Sequence, residues 1–395
     1  MSEAAHETTT VAIVGAGPSG LTLANLLRTA GIGCVVLERQ SRGYVEQRQR
    51  AGVLEHRAAR MFEEWGLAGR VLQDSRTDGV QEFRVDGEPR FLPIAELAGG
   101  RFGRILPQQF LVQRLITAFL EDGGDLRFGC GDVTLGELDS DRPIVTYLDE
   151  SGAQRRIEAD FIAGCDGFHG VSRRSVPEGE QTTYTYDHGI GWFTVLADVP
   201  PPRHPMFAVS SHGFAAHFPR GPRSSRFYLQ CPPGEDLGAW DEDRIFEQLR
   251  LRIGDPDLPY GKVLEKAVVD MRSFVVDPMS YGRLFLVGDA AHIITPMGGK
   301  GMNLALADAE VLAKAVRSAV RDGDEQPLRD YSRTCLDRTW SYQEYSRWMT
   351  EMLHDSGDPA TSGPFRHKLA RARLDRLFTS ANAGGLFAEL MAGEA

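Results

Sequence analysis

Val11-Ala-Ile-Val-Gly15-Ala-Gly17-Pro-Ser19-Gly20-Leu21 decides the fold. Four apolar residues in a row are too few for a helix and read as a strand buried on both faces. The three glycines after them read as a turn where the backbone passes close to something else. Over residues 21–30 the apolar side chains recur at helical spacing, and Gly31 and Gly33 end the helix. Cys34-Val-Val-Leu37 is then a second buried strand, closed by Glu38. The whole is a strand–helix–strand unit of about 30 residues with G-x-G-x-x-G in its turn. Gly15, Gly17 and Gly20, with Ser19 between them, let backbone N–H groups reach a pyrophosphate at the helix N-terminus. Glu38 is placed to accept from a ribose diol. An acid at Glu38 argues against a 2′-phosphate on that ribose, so the unit suits FAD or NAD and alone does not choose.

Two later turns make the choice. Cys165-Asp166-Gly167 follows an apolar run over 160–164, and Gly288-Asp289-Ala-Ala-His292 follows another over 284–287. An aspartate ending a buried strand beside a phosphate needs a partner, and the ribitol hydroxyls of FAD supply one. Pro296-Met297-Gly-Gly-Lys300-Gly-Met302-Asn303 then opens a helix expected over about 301–321. Its N-terminal dipole suits the pyrimidine edge of a flavin and favours the anionic reduced ring.

Outward from these turns, residues 52–75 and 108–121 read as helical, and 80–92 and 143–162 as β-rich. From 184 to 276 short alternating runs punctuated by Pro and Gly predict an antiparallel sheet, a separate substrate-side domain. The C-terminal part, from 326, is mostly helical. The expected class is α/β: a Rossmann-like FAD-binding domain of the glutathione-reductase type, an inserted antiparallel-sheet substrate domain and a C-terminal helical region. The division is 1–75, 108–180 and 277–325 for the FAD-binding parts, 76–107 and 181–276 for the substrate side, and 326–395 for the helical, dimer-forming end.

Composition bounds the partners. Apolar residues at 42% and charged residues at 25% are ordinary for a globular chain. A net charge of −11 repels phosphate backbones and argues against nucleic acid. Of the basic residues, only Lys262, Lys266, Lys300, Lys314 and Lys368 are lysines, so anion recognition falls to arginine forks. The five cysteines form no C-x-x-C pair, which excludes a zinc or disulfide framework and points to a reduced, cytoplasmic protein. Residues 1–10 lack a signal-peptide pattern, and no stretch reaches the roughly 20 unbroken apolar residues of a membrane span. No metal site is expected.

The chain resembles the class A flavoprotein aromatic hydroxylases. The resemblance runs from about Val11 to Gly393 and rests on Leu37-Glu-Arg-Gln40, Tyr44 and Arg48-Gln-Arg50-Ala-Gly-Val-Leu-Glu55. It rests also on Ile162-Ala-Gly-Cys-Asp-Gly-Phe-His-Gly170, Arg272-Ser-Phe-Val-Val276 and Gly288-Asp-Ala-Ala-His-Ile293. It implies FAD held by Ser19, Glu38, Arg50, Gln108, Asp166, Asp289, Met302 and Asn303. It implies NADPH, or NADH, as co-substrate on a surface groove served by Arg39, Gln40, Tyr44, Arg48, His169 and Arg272. O2 is the third participant, captured by the reduced flavin as a C4a-hydroperoxide that an electron-rich ring carbon attacks. For any one of these arginines a surface ion pair is an equal alternative.

In the substrate pocket the sequence departs from that family. Arg220 and Tyr228 match an arginine and a tyrosine that bind a benzoate carboxylate, Arg226 matches a second arginine near the flavin, and Pro296 matches a proline whose carbonyl meets the substrate hydroxyl. Arg220, Tyr228, Pro296 and Asn303 are the expected catalytic set, and Met297 lines the same pocket. Phe218 stands where the family has a carboxylate-binding serine, unless it is plain core. Phe207, Met391 and Thr77 stand where the family passes the phenolic proton through two tyrosines to a surface histidine, and none of the three titrates near neutral pH. Either the substrate is activated without full deprotonation, as an aminohydroxybenzoate is, or another group near Pro296 or a water chain takes the proton. His212 and His217 are candidates, with a structural role the alternative. The expected substrate is a small aromatic carboxylate and the expected assembly a homodimer without membrane attachment. The competing readings are a halogenase or reductase on the same fold, or a non-catalytic flavin- or ligand-binding protein. The five tryptophans never fall two apart, against the halogenase W-x-W string.

Overall fold

The computed structural model describes residues 6–48, 52–354 and 364–393. The nucleotide-type sheet runs in the order Ser280–Tyr281, Leu284–Leu286, Gln154–Gly164, His6–Val14, Cys34–Leu37, Asp125–Arg127. Its inner pairs are parallel, Val11 against Phe161 and Cys34, Val35 against Asp125, and Ile162 against Leu284. These strands are apolar without alternation because both faces are covered. The helices Gln108–Glu121, Pro18–Thr29 and Lys300–Asp322 pack side by side in one covering layer. The first half of Gln154–Gly164 also pairs with the antiparallel hairpin Gly131–Gly136/Ile144–Leu148.

The second sheet has eight strands. From one edge they run His292–Ile293, Val263–Asp277, Thr182–Ala197, Ser225–Cys231, Gly213–Pro219, Met206–Ser210, Gln81–Val85, Glu88–Leu92. The hairpin over 80–92 thus joins a sheet built mostly 100 residues later, through a parallel pairing of Phe207 with Phe83. Alternation gives the sheet two apolar faces. Phe193, Val195, Ala208, Phe227 and Leu229 face one way, and Trp192, Phe207, Phe214, Phe218 and Tyr228 face the other.

Three expectations are corrected. The span 184–276 is not all strand: helix Glu242–Ile253 covers the first face with Ile245, Phe246, Leu249 and Ile253. Asp241 caps its N-terminus through Arg244 N, and Gly254, at φ 70°, ends it in the left-handed conformation. Residues 52–75 are not one helix. They hold the strand Val53–Leu54, paired with Arg104–Ile105 in a small third sheet, and the separate helices His56–Glu64 and Ala68–Val71. The antiparallel sheet also contains the one parallel pair just described. Helices Tyr331–Leu353, Pro364–Thr379 and Ala381–Ala392 close over the second face of the sheet, with Tyr345, Met349, Leu374 and Phe387 buried against it. No helix among the described residues is long and apolar enough to cross a membrane.

Candidate active site

The three sequence-distant turns converge. Gly15 has φ 107°, and a Cβ there would overlap the carbonyl oxygen of Cys165. A Cβ on Gly288, at φ 65°, would lie 2.8 Å from the Ala305 methyl and 3.5 Å from Ser19 Oγ. The turns at 15–20, 165–167 and 288–289 therefore meet at the start of helix Pro18–Thr29. Gly20 is needed for another reason, since its Cβ would strike the Gly15 carbonyl. Gly17 differs: nothing lies within 4 Å of its Cβ position, and it caps the helix with no side-chain hydrogen bond. The free N–H groups of that first turn thus face open space, the arrangement that takes a pyrophosphate. Glu38 accepts from Ala16 N and from Gln40 N, both at 2.8 Å, which aims its carboxylate at this turn.

Asp166 accepts from Ser172 N at 2.9 Å and Ser172 Oγ at 3.0 Å through Oδ2, while its Oδ1 is buried without a partner among the described residues. Burial raises its pKa, with the two Ser172 bonds opposing. An orphan acceptor and an open helix N-terminus are what FAD would complete, so the residues present fit the group. Behind them His292 Nε2 and Gly288 N meet Asp308 Oδ2 at 2.6 and 3.1 Å. Burial disfavours the imidazolium of His292, but Asp308 outweighs it and the pKa is raised. Gln108 is buried at the start of Gln108–Glu121, and Met302 is buried near the start of Lys300–Asp322. Arg50 lies outside the described residues.

Asn303 is wholly engaged by backbone. Its Oδ1 accepts from Glu55 N at 2.9 Å, and its Nδ2 donates to Gly299 O at 2.9 Å and Val53 O at 3.1 Å. It ties the strand Val53–Leu54 to the Pro296–Gly299 turn. In that turn Gly298 and Gly299 have φ 75° and 66°, and Gly299 caps helix Lys300–Asp322 with no side chain. Lys300, which motif reading passed over, is fully buried and donates to Glu55 Oε1 at 2.6 Å and to the carbonyl of Leu390. Tyr342 Oη donates to Glu55 Oε2 at 2.9 Å. Burial lowers the Lys300 pKa and Glu55 opposes the shift. The rarity of lysine, and its placement inside a glycine turn, was the available signal.

On the aromatic face of the sheet, register places the expected substrate residues. Phe218 pairs with Arg226 and Ala216 with Tyr228, so Phe218, Arg226 and Tyr228 share a side. Arg220 Nη2 donates to Tyr228 Oη at 3.2 Å, and its guanidinium lies so close to Gly52 that a Cβ there would collide with it. Phe218 fills the space between Phe207 and Tyr228, with ring centroids 5.5 and 5.8 Å away. Trp192 lies 4.6 Å from Tyr228 and donates to His354 Nε2 at 2.7 Å. Met297 is buried in the same cluster, Met391 packs against it, and Pro296 is exposed. Arg226 is drawn off, ion-paired to Glu265 at 3.3 Å with Nε buried and without a partner among the described residues. Thr77 is exposed in the small third sheet.

Neither histidine candidate reaches this face. His217 points to the opposite side, stacked on Phe227 at 4.2 Å and bonded to Ser225 Oγ at 2.8 Å, and burial lowers its pKa to about 3. His212 is exposed in the hairpin turn between Met206–Ser210 and Gly213–Pro219. The nicotinamide set divides in two. Arg39, Gln40, Tyr44 and Arg48 surround the short helix Arg42–Gln47, and Tyr44 is half exposed. Arg272 lies 4.3 Å over the Phe168 ring, which is 5.0 Å from His169. Arg39, Arg48 and Arg272 have no carboxylate partner among the described residues, in a chain where most arginines have one. No cluster of metal-ligating side chains occurs among the described residues.

Comparison with known proteins agrees with this geometry. The FAD binding domain profile FAD_binding_3 matches residues 8–346. The chain is 36% identical over 390 residues to the p-hydroxybenzoate hydroxylase of Acinetobacter baylyi, covering 98% of this chain and 95% of that one. It is 27% identical to a probable NADH-specific resorcinol 4-hydroxylase of Rhodococcus jostii, over 96% of this chain and 72% of the other. In fold it matches the p-nitrophenol 4-monooxygenase PnpA of Pseudomonas putida DLL-E4, with a TM-score of 0.83 at 21% identity over 98% of this chain and all of the other. The chain therefore belongs to the FAD binding domain family, and within it to the flavoprotein aromatic hydroxylases, monooxygenases that use NAD(P)H and O2.

Proposed function

We propose that this hydroxylase acts on a small aromatic carboxylate, a hydroxy- or amino-substituted benzoate. The observation that carries the reading is Arg220, held by Tyr228 on a sheet face otherwise walled by Trp192, Phe207 and Phe218. A fork-shaped cation without a carboxylate partner among the described residues, set among aromatic rings, is a site for a flat acid: the guanidinium takes the carboxylate, and the rings take the arene and exclude water. The likeness to a p-hydroxybenzoate hydroxylase supports the same chemistry. Phe207, Phe218 and Met391 make the pocket drier than a relay of hydroxyls would, which favours a ring already rich in electrons, such as an aminohydroxybenzoate.

FAD, when bound, accepts hydride from the nicotinamide and activates O2; the protein supplies binding, orientation and dryness. Gly15, Gly17, Ser19, Gly20, Glu38, Gln108, Asp166, Asp289 and Met302 are its binding set. Asn303 acts by holding the Val53–Leu54 strand against the Pro296 turn. Arg39, Arg48 and Arg272, without a carboxylate partner among the described residues, are the anion contacts for NADPH or NADH. Cytoplasmic location, a homodimer through the C-terminal helices and the six-segment domain division belong to the same reading.

A panel of hydroxy- and aminobenzoates, scored for NAD(P)H consumption, hydrogen peroxide and hydroxylated product, tests it. One benzoate is expected to give product nearly equal to nicotinamide consumed. Stimulation by non-acidic phenols alone would overturn the carboxylate assignment.

A further inference from the structure

Helix Tyr331–Leu353 carries three fully buried tyrosines, Tyr331, Tyr342 and Tyr345. Two are paired: Tyr331 Oη donates to Leu286 O at 2.8 Å and Tyr342 Oη to Glu55 at 2.9 Å. Tyr345 is not. Its hydroxyl is buried and has no hydrogen-bond partner among the described residues. A buried phenol without a partner bears its desolvation cost uncompensated, and phenylalanine would fill the same space without it. The hydroxyl thus has its bonding capacity free of the described fold.

Its surroundings identify that partner. Tyr345 belongs to the apolar cluster of Phe207, Met297 and Phe387, against which Met391 packs. Its ring edge fixes Gly298, whose Cβ would stand 2.8 Å from Tyr345 Cε1, so it backs the turn that begins at Pro296. The same cluster has Phe218 and Tyr228 packed against it, and Tyr228 carries Arg220 on its hydroxyl, so the Arg220 side and the Pro296 turn border one aromatic cluster. The charged groups beside the phenol are Lys300, whose Nζ lies 5.2 Å from the ring centroid, and Glu55, paired to Lys300 and Tyr342.

We propose that Tyr345 is the polar contact for the ring substituent remote from the carboxylate, replacing from the helix side the hydroxyls absent at Phe207 and Met391. A phenol oxygen both donates and accepts, so it serves a hydroxyl or an amino group and selects against an unsubstituted ring. The proposal rests on the hydroxylase reading above and names the substituent end of that site.

The test is Tyr345→Phe in the flavin-loaded protein, with 4-hydroxybenzoate, benzoate and resorcinol as ligands, binding read by perturbation of the flavin spectrum. Deleting an unpaired hydroxyl is expected to leave the urea midpoint unchanged or higher. Affinity for 4-hydroxybenzoate and resorcinol is expected to fall about tenfold and that for benzoate to hold, because only the first two offer a hydroxyl. The phenolate absorbance of bound 4-hydroxybenzoate is expected to develop about one pH unit higher, and peroxide to rise at the expense of product. A loss of stability would mean that the hydroxyl is bonded within the fold, and unchanged phenol affinity and titration would mean that it does not meet the ligand. Either result overturns the proposal. Binding of resorcinol but of neither benzoate would sink the carboxylate reading and leave Tyr345 to be judged on resorcinol. If no ligand perturbs the flavin, both fall.

Discussion

Lys300→Met tests whether the end of the chain is locked to the flavin side by one buried charge pair. Lys300 Nζ is 2.6 Å from Glu55 Oε1, and both side chains are nearly or wholly removed from water, at 0% and 4% exposure. Two unit charges at this distance attract by about 6 kcal/mol at an effective dielectric of about 20. Much of that offsets the cost of taking both from water, so the pair itself adds little to net stability. Removing one partner is another matter. Methionine replaces the methylene stem closely in volume, so packing is nearly kept, but among the described residues the Glu55 carboxylate keeps only the Tyr342 hydroxyl as a donor. The Leu390 carbonyl loses its charged donor and keeps the 3.3 Å bond from Gly393 N. The expected loss is about 3–5 kcal/mol in equilibrium urea unfolding of the apoprotein. The double variant Lys300→Met/Glu55→Gln is expected to recover at least about 2 kcal/mol of the summed single losses. A single-variant loss under about 1 kcal/mol, or strict additivity in the cycle, would refute the claim that the two charges depend on each other.

Three further outcomes follow from the geometry. Gly17→Ala should fold normally and bind FAD about tenfold or more weakly by fluorescence titration, whereas Gly15→Ala, strained at φ 107° and blocked by Cys165, should cost about 1–3 kcal/mol of stability. Arg220→Gln should raise the Michaelis constant for benzoates about 10- to 100-fold and leave that for non-acidic phenols nearly unchanged, since a hydrogen bond to a charged group contributes about 1.5–3 kcal/mol. Burial lowers the pKa of both His217 and His354 to about 3, against an ordinary value near 6.5, so the unfolded chain binds more protons between those limits. Their contribution is complete above about pH 6.5 and falls by about 1.4 kcal/mol per pH unit for each histidine as the pH drops toward 3. His217→Gln should flatten the slope of urea stability against pH between 6 and 4 by roughly half of this pair's share, and an unchanged slope would count against a neutral buried imidazole.

What the sequence disclosed and what it hid divide by the range of the interactions involved. The turn from Gly15 to Gly20 was legible because its constraints are local: Gly15 must adopt positive φ, Gly20 must clear a carbonyl five residues back, and Glu38 ends the next strand. The convergence of the turns at 165–167 and 288–289 followed, since both end strands of one parallel sheet. The helix Glu242–Ile253 was readable from Asp241, the apolar spacing of Ile245, Phe246, Leu249 and Ile253, and Gly254, but the Pro- and Gly-rich strands around it dominated the pattern. Strand parity would have removed His217 earlier, because it alternates with Ala216 and Phe218 and so turns its back on the pocket. The substrate end was hidden for a physical reason. Lys300 and Glu55 stand 245 residues apart, and the partner of the sheet face is a helix whose own periodicity gives no sign that one of its buried tyrosines will be left unpaired. Losing hydroxyls at Phe207 and Met391 therefore does not by itself make the pocket inert. With Tyr345, Lys300 and Glu55 gathered behind Gly298, its polarity sits on the helical wall and the Pro296 turn, while the sheet supplies aromatic surface and the Arg220 anchor. Under the proposed reading a substrate would be gripped at its acid by the sheet and read at its far edge by the helix, so the two ends could change independently.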